Sequence, residues 1–104
     1  MAFERRGPAA WVMHPGEILQ VEFLKPMKMS GYRLAQSLKV KPQTVNDITL
    51  GKRGVSADMA IRLAKFFGTT EQFWMNLQAA YELGKARKEI KKDLDKIQPV
   101  NRAA

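Results

Sequence analysis

Residues 41–53 read KPQTVNDITLGKR. Pro42 suits the first position of a helix and Gly51 suits its exit. Between them only Val45 and Ile48 are large and apolar before Leu50. Successive helical residues turn by about 100°, so Val45 and Ile48 share one side. Gln43, Asn46, Asp47 and Leu50 fall on the other, with Thr44 on the flank. A helix that only props up a core carries a wider apolar stripe than this. The pattern predicts a rod anchored along one edge, with its far side kept free for a partner.

Just upstream, Ser30 is a good amino-terminal cap for a second short helix, GYRLAQSL, with Leu34, Ala35 and Leu38 facing inward. Two short helices over residues 30–38 and 42–50, joined by a tight turn, have the dimensions of a helix-turn-helix. There the first helix braces the second, which lies in the major groove of DNA. Such packing needs a small residue at the crossing and branched residues beneath the second helix. Ala35, Val45 and Ile48 supply these.

The outer side carries the chemistry of base reading. Gln43 and Asn46 can pair with adenine through two hydrogen bonds, and Asp47 can accept from a cytosine amino group. Thr44 completes the base-reading set, and Leu50 reads as a packing residue at the helix cap. Ser30, Lys28, Arg33, Lys39, Lys41, Lys52 and Arg53 are placed to reach phosphates, which give affinity and register without sequence information. Residues 25–53 hold seven cations and one acid, Asp47. That acid is either a specificity element or a local liability. The full chain carries a net charge of +8, which attracts polyanions.

The rest of the sequence continues in helices. HPGEILQVEFL opens with Pro15 at a first helical position and Glu17 near the positive end of the dipole. Ile18, Leu19, Phe23 and Leu24 face the core, and Pro26 is expected to stop this helix. Ser56 caps ADMAIRLAKFF, whose stripe is Met59, Ala60, Leu63, Ala64 and Phe67, with Gly68 as the stop. Thr69 and Gln72 match a capping box that starts a long fifth helix. Beyond Gly84 the composition turns to KARKEIKKDLDKIQ, with Ile90, Leu94 and Ile97 at narrow helical spacing. No strand alternation or repeat interrupts the series. The expectation is an all-α chain of one domain, with a mobile segment at residues 1–13, a five-helix unit at 14–84 and a basic helical tail at 85–104.

Composition narrows the chemistry. Without cysteine there is no disulfide, thiolate metal site or thiol nucleophile, which fits a reducing cytoplasm. His14 is the sole histidine and has no nucleophile or paired acid beside it, so it reads as a cap or a packed ring, not a catalytic base. No enzyme activity, metal or cofactor is expected. No apolar run approaches the roughly 20 residues that span a bilayer, so no membrane role is expected.

Taken together, HPGEIL, LAQSLKVKPQTVNDITLGKRG, SADMAIRLAKFFG and the FWMNLQAAYEL run resemble the HigA-type antitoxins, the VapI-like branch of the XRE helix-turn-helix family. The similarity covers about residues 14–84. It implies a lambda-repressor-like five-helix domain acting as a homodimer on a palindromic, double-stranded DNA operator. It also implies a type II toxin–antitoxin role: binding a small RelE-like (HigB) ribonuclease that cleaves messenger RNA, and repressing the shared promoter. The alternative is a stand-alone repressor of the same family. On matching positions Pro42, Gln43, Thr44 and Asp47 fall where related repressors contact DNA, as does Gly31. Three positions depart from the pattern: Lys39 where the turn usually has glycine, Lys41 where serine or threonine usually caps, and Leu50 in place of asparagine.

A two-fold partner would bury surplus apolar area on the aromatic helix, so Phe73, Trp74, Leu77 and Tyr81 are expected at a dimer interface. Ile90 and Leu94 either extend that interface or ride on a solvated tail. The sequence leaves the toxin-binding surface unassigned. Phe3 and Trp11, or the acids Glu4, Glu17 and Glu22, are the candidates there.

Overall fold

The computed structural model describes residues 13–101, and among these the chain is all-helical, as expected. Five helices build the folded unit and a short sixth follows. The expectations for Phe3, Glu4 and Trp11 lie outside the described residues.

Helix α1 runs without interruption over residues 15–27 but changes register twice. An α-helical turn, Pro15–Ile18, passes into π-helical Leu19–Leu24 and then a closing turn, Lys25–Met27. His14 caps it, with Nδ1 accepting the Gly16 N–H at 2.9 Å. Pro26 does not stop this helix. In the widened register the Lys25 N–H reaches the Gln20 carbonyl, five residues back. The ring of Pro26, which has no N–H to place, enters a helix already opened by that π turn. The stop comes at Lys28, in the left-handed region at φ 53.

Helices α2 (Gly31–Leu38), α3 (Pro42–Thr49) and α4 (Ala57–Phe67) follow the sequence closely. The Ser30 hydroxyl accepts the Arg33 N–H at 3.1 Å, and the Ser56 hydroxyl accepts the Met59 N–H at 3.2 Å. Gly68, at φ 76, ends α4. Helix α5 (Glu71–Glu89) begins differently from expectation. Its cap is Thr70, whose hydroxyl accepts the Phe73 N–H at 3.0 Å. Thr69 is engaged elsewhere: its Oγ1 accepts the Trp74 indole N–H at 2.7 Å. Gln72 donates to Asn76, so no capping box forms. The helix passes Gly84 unbroken, and α6 (Lys91–Leu94) is one exposed turn.

The core lies where these helices meet. Leu34, Ala35 and Leu38 of α2, Val45 and Ile48 of α3, and Met59, Ala60, Leu63 and Ala64 of α4 are all buried. They close on Leu19 and Leu24 of α1 and on Trp74 of α5. Phe23 stacks obliquely between Phe67 and Trp74, with ring centroids 4.7 and 5.1 Å away. Burying a side chain of this size contributes on the order of 2 kcal/mol, which is why a chain this short can hold one core.

Candidate nucleic-acid interface

The corner between α2 and α3 sets the geometry of the outer face. Lys39 takes the left-handed conformation at φ 61 that glycine usually supplies. Two backbone bonds lock it: the Val40 N–H reaches the Ala35 carbonyl at 3.0 Å, and the Lys39 N–H reaches that of Gln36 at 3.2 Å. The closing turn of α1 has the same form, with Met29 bonded to Leu24 and Lys28 to Lys25. Arg62 reinforces the corner from α4. Its Nη1 donates to the Leu38 carbonyl at 2.8 Å while its Nε holds Asp58 at 2.6 Å.

From that corner α3 lies as its pattern dictates. Val45 and Ile48 have no exposed surface, while Gln43 and Asn46 stand in solvent. Gly31 lies over Val45, and a methyl there would meet Val45 Cγ1 at 3.4 Å, an ordinary van der Waals contact. From beneath, the first turn of α1 presses on the end of α3 at Gly16, where any Cβ would overlap the Ile48 carbonyl. Thus the HPGE stretch is a foundation for the recognition helix.

His14 belongs to that foundation. Its ring meets Tyr81 edge-on with centroids 4.8 Å apart, and Lys85 stands over the far ring at 5.9 Å. Burial holds the imidazole below its ordinary value of 6.5; the nearby Glu17 carboxylate pulls it up and Lys85 pushes it down.

The candidate phosphate ligands lie on α2, on the corner, at the start of α3 and on the loop after it. Ser30, Arg33, Lys39, Lys41, Lys52 and Arg53 are all exposed. Lys41 occupies the cap position of α3 without a side-chain capping bond, since an ammonium has no acceptor for the helix N–H groups. Arg53 turns back to α3, its Nη1 donating to Thr44 Oγ1 at 3.4 Å. Asp47, like Thr44, is tied to its own chain. It is half-buried and holds Gln43 through a hydrogen bond of 2.7 Å. Leu50 is 59% exposed, so it is not the packing residue its position suggested. The chain leaves α3 through Gly51, at φ 77, and carries Leu50 away from the core.

The sequence did not single out Tyr32 or Gln20. Both line a groove with Gly31, Pro42, Gln43, Asn46 and Thr49. Tyr32 is 61% exposed at the start of α2. A signal for it existed: it is an aromatic residue off the Leu34, Ala35, Leu38 stripe.

The expected dimer residues divide. Trp74 is fully buried in its own chain and hydrogen-bonded to Thr69, so it has no surface to offer a partner. Phe73 and Leu77 are half-buried against the core, and Tyr81 is half-buried over His14. Ile90 and Leu94 stand in the open at 43% and 44% exposure. No helix among the described residues is long and apolar enough to cross a membrane.

Comparison with known proteins agrees with this geometry. A family profile described as helix-turn-helix matches residues 22–74. Virulence-associated protein I of Dichelobacter nodosus is 44% identical over 89 residues, covering 86% of this chain and 82% of that one. Antitoxin HigA-1 of Vibrio cholerae serotype O1 is 37% identical over 86 residues, covering 82% of this chain and 80% of its own. Among solved structures, the Pseudomonas aeruginosa antitoxin HigA with the higBA promoter superposes with a TM-score of 0.84 at 49% identity. That match spans 86% of this chain and 99% of the other. On sequence, fold and recognition-helix geometry together, the chain belongs to the HigA-type branch of the XRE helix-turn-helix family.

Proposed function

We propose that this chain is the antitoxin of a type II toxin–antitoxin pair: a sequence-specific DNA-binding protein that represses its own promoter and neutralises a RelE-like, mRNA-cleaving toxin. The observation that carries the DNA half is the presentation of α3. Its apolar edge is wholly buried, Gln43 and Asn46 are exposed, and Arg53, bonded to Thr44, brings a cation to the same helix. That arrangement separates base reading from phosphate attraction, as major-groove recognition requires. Gln43, Thr44 and Asn46 read base edges in this proposal, and Ser30, Arg33, Lys39, Lys41, Lys52 and Arg53 hold phosphates. A homodimer would set two such helices about 34 Å apart on a palindromic site. The antitoxin half is supported by relatives that carry that name, including one solved with its promoter.

The test has two arms. Gel shifts on the DNA upstream of the gene, over a salt series, should show tight binding that weakens steeply with salt. Expression of the short reading frame beside the gene should arrest growth, and co-expression of this chain should restore it. Promoter binding without any such rescue would identify a stand-alone repressor instead.

A further inference from the structure

Asp47 sits among the outward residues of α3, yet its contacts run along the protein surface. Oδ1 accepts from the Gln43 Nε2 at 2.7 Å, one helical turn back. Oδ2 faces the Arg53 guanidinium at 3.9 Å. The same residue's carbonyl accepts the backbone N–H groups of Lys52 at 2.8 Å and Arg53 at 3.2 Å. Arg53 then returns to Thr44. One carboxylate therefore joins a base-reading candidate to the loop that carries two phosphate-seeking cations.

From this we infer that Asp47 is a positioning residue, which fixes the amide of Gln43 for reading one base pair and touches no base itself. The inference rests on the DNA-reading function proposed above. An ionised carboxylate only accepts, so it admits the nitrogen of the Gln43 amide and rejects the oxygen. One amide N–H is thereby committed, leaving the oxygen and the second N–H for the donor–acceptor pair of adenine. An asparagine at position 47 can donate as well as accept, so it would tolerate either orientation of the amide. The ion pair to Arg53 is loose and exposed, and holds the loop less firmly than the backbone bonds do.

A double-mutant cycle tests this. Affinities of the wild type, Asp47→Asn, Gln43→Ala and the double variant are measured on the promoter duplex and on duplexes with each base pair replaced in turn. Asp47→Asn should lower discrimination at the base pair read by Gln43 by about tenfold, while removal of a negative charge strengthens binding to all duplexes alike. In the Gln43→Ala background it should remove no further discrimination. Gln43 is exposed and Asp47 half-buried, so thermal unfolding of each variant checks that the fold persists. Equal losses in both backgrounds, or a change of preferred base at a separate position, would show Asp47 touching DNA directly and overturn the inference alone. Unchanged discrimination in Asp47→Asn would overturn it too. A wild type unable to tell the promoter from random duplex would sink the DNA-reading function and this inference with it.

Discussion

Gly16 packs against Ile48 so closely that a side-chain carbon on the glycine would collide with the Ile48 carbonyl oxygen and lie 2.7 Å from its carbon. The atoms that would have to move are backbone, held in α3. The Gly16→Ala variant should therefore lose about 2 kcal/mol of stability, read from urea unfolding. Because the displaced element is the recognition helix, promoter affinity should fall further than global stability explains. A variant with wild-type stability would mean that α1 does not seat α3 in this way.

Lys39 offers two opposite effects in one substitution. Its left-handed backbone costs a non-glycine residue about 1 kcal/mol, so Lys39→Gly should raise stability by roughly that amount. The same change deletes a phosphate-seeking charge. Binding to all duplexes should weaken similarly, and the salt slope should flatten by about one ion. Stability and affinity should move apart.

His14 links stability to pH. With the folded imidazole depressed below 6.5, the unfolded chain takes up a proton first as pH falls. The contribution is intact above the unfolded value and is lost as pH drops through about 6.5 toward the lower folded value. Protonation also removes the lone pair that accepts the Gly16 N–H. Thermal unfolding between about pH 7.5 and 5.5 should show the midpoint falling. The His14→Asn variant, which can still cap a helix, should lose most of that slope.

Gln78 is a buried polar residue beside the core. Its Oε1 accepts the Val55 N–H at 2.7 Å and its Nε2 donates to Glu82 at 2.7 Å. In Gln78→Leu the Val55 N–H has no acceptor, at a cost of about 2 kcal/mol. Urea unfolding should report this loss, while discrimination between duplexes stays as in the wild type. Altered discrimination would mean that the loop before α4 shapes the reading face.

Much of this architecture was legible from residues whose roles are local. Ser30 and Ser56 cap the helices they announce, Gly68 ends α4, and the Val45, Ile48 stripe is buried to the last atom. What escaped was set by longer-range or competing contacts. Pro26 reads as a stop because a regular helix cannot accept it, and nothing in the sequence announces the π turn that does. Thr69 looks like a cap until the Trp74 indole claims its hydroxyl. Trp74 looks like surplus apolar area until α1, α4 and α5 close around it. At the reading face, residue types pointed to Gln43 and Asn46 correctly as exposed groups. The commitment of Asp47 to its neighbours depends on rotamers that composition does not encode. Tyr32 lies off the apolar stripe of α2, and its place in the groove depends on how α2 and α3 cross.

Helix α5 has a further consequence for motion. After Gln78 none of its residues is buried, and Gly84 lies in the middle of that stretch. A glycine there weakens a helix by about 1 kcal/mol relative to alanine, and little tertiary contact offsets it. The amides of its last turns will therefore exchange with solvent through small local openings, long before those around Leu63 and Trp74 do. Amide protection along α5 should therefore fall from one end to the other, high where Trp74 is enclosed and low past Gly84.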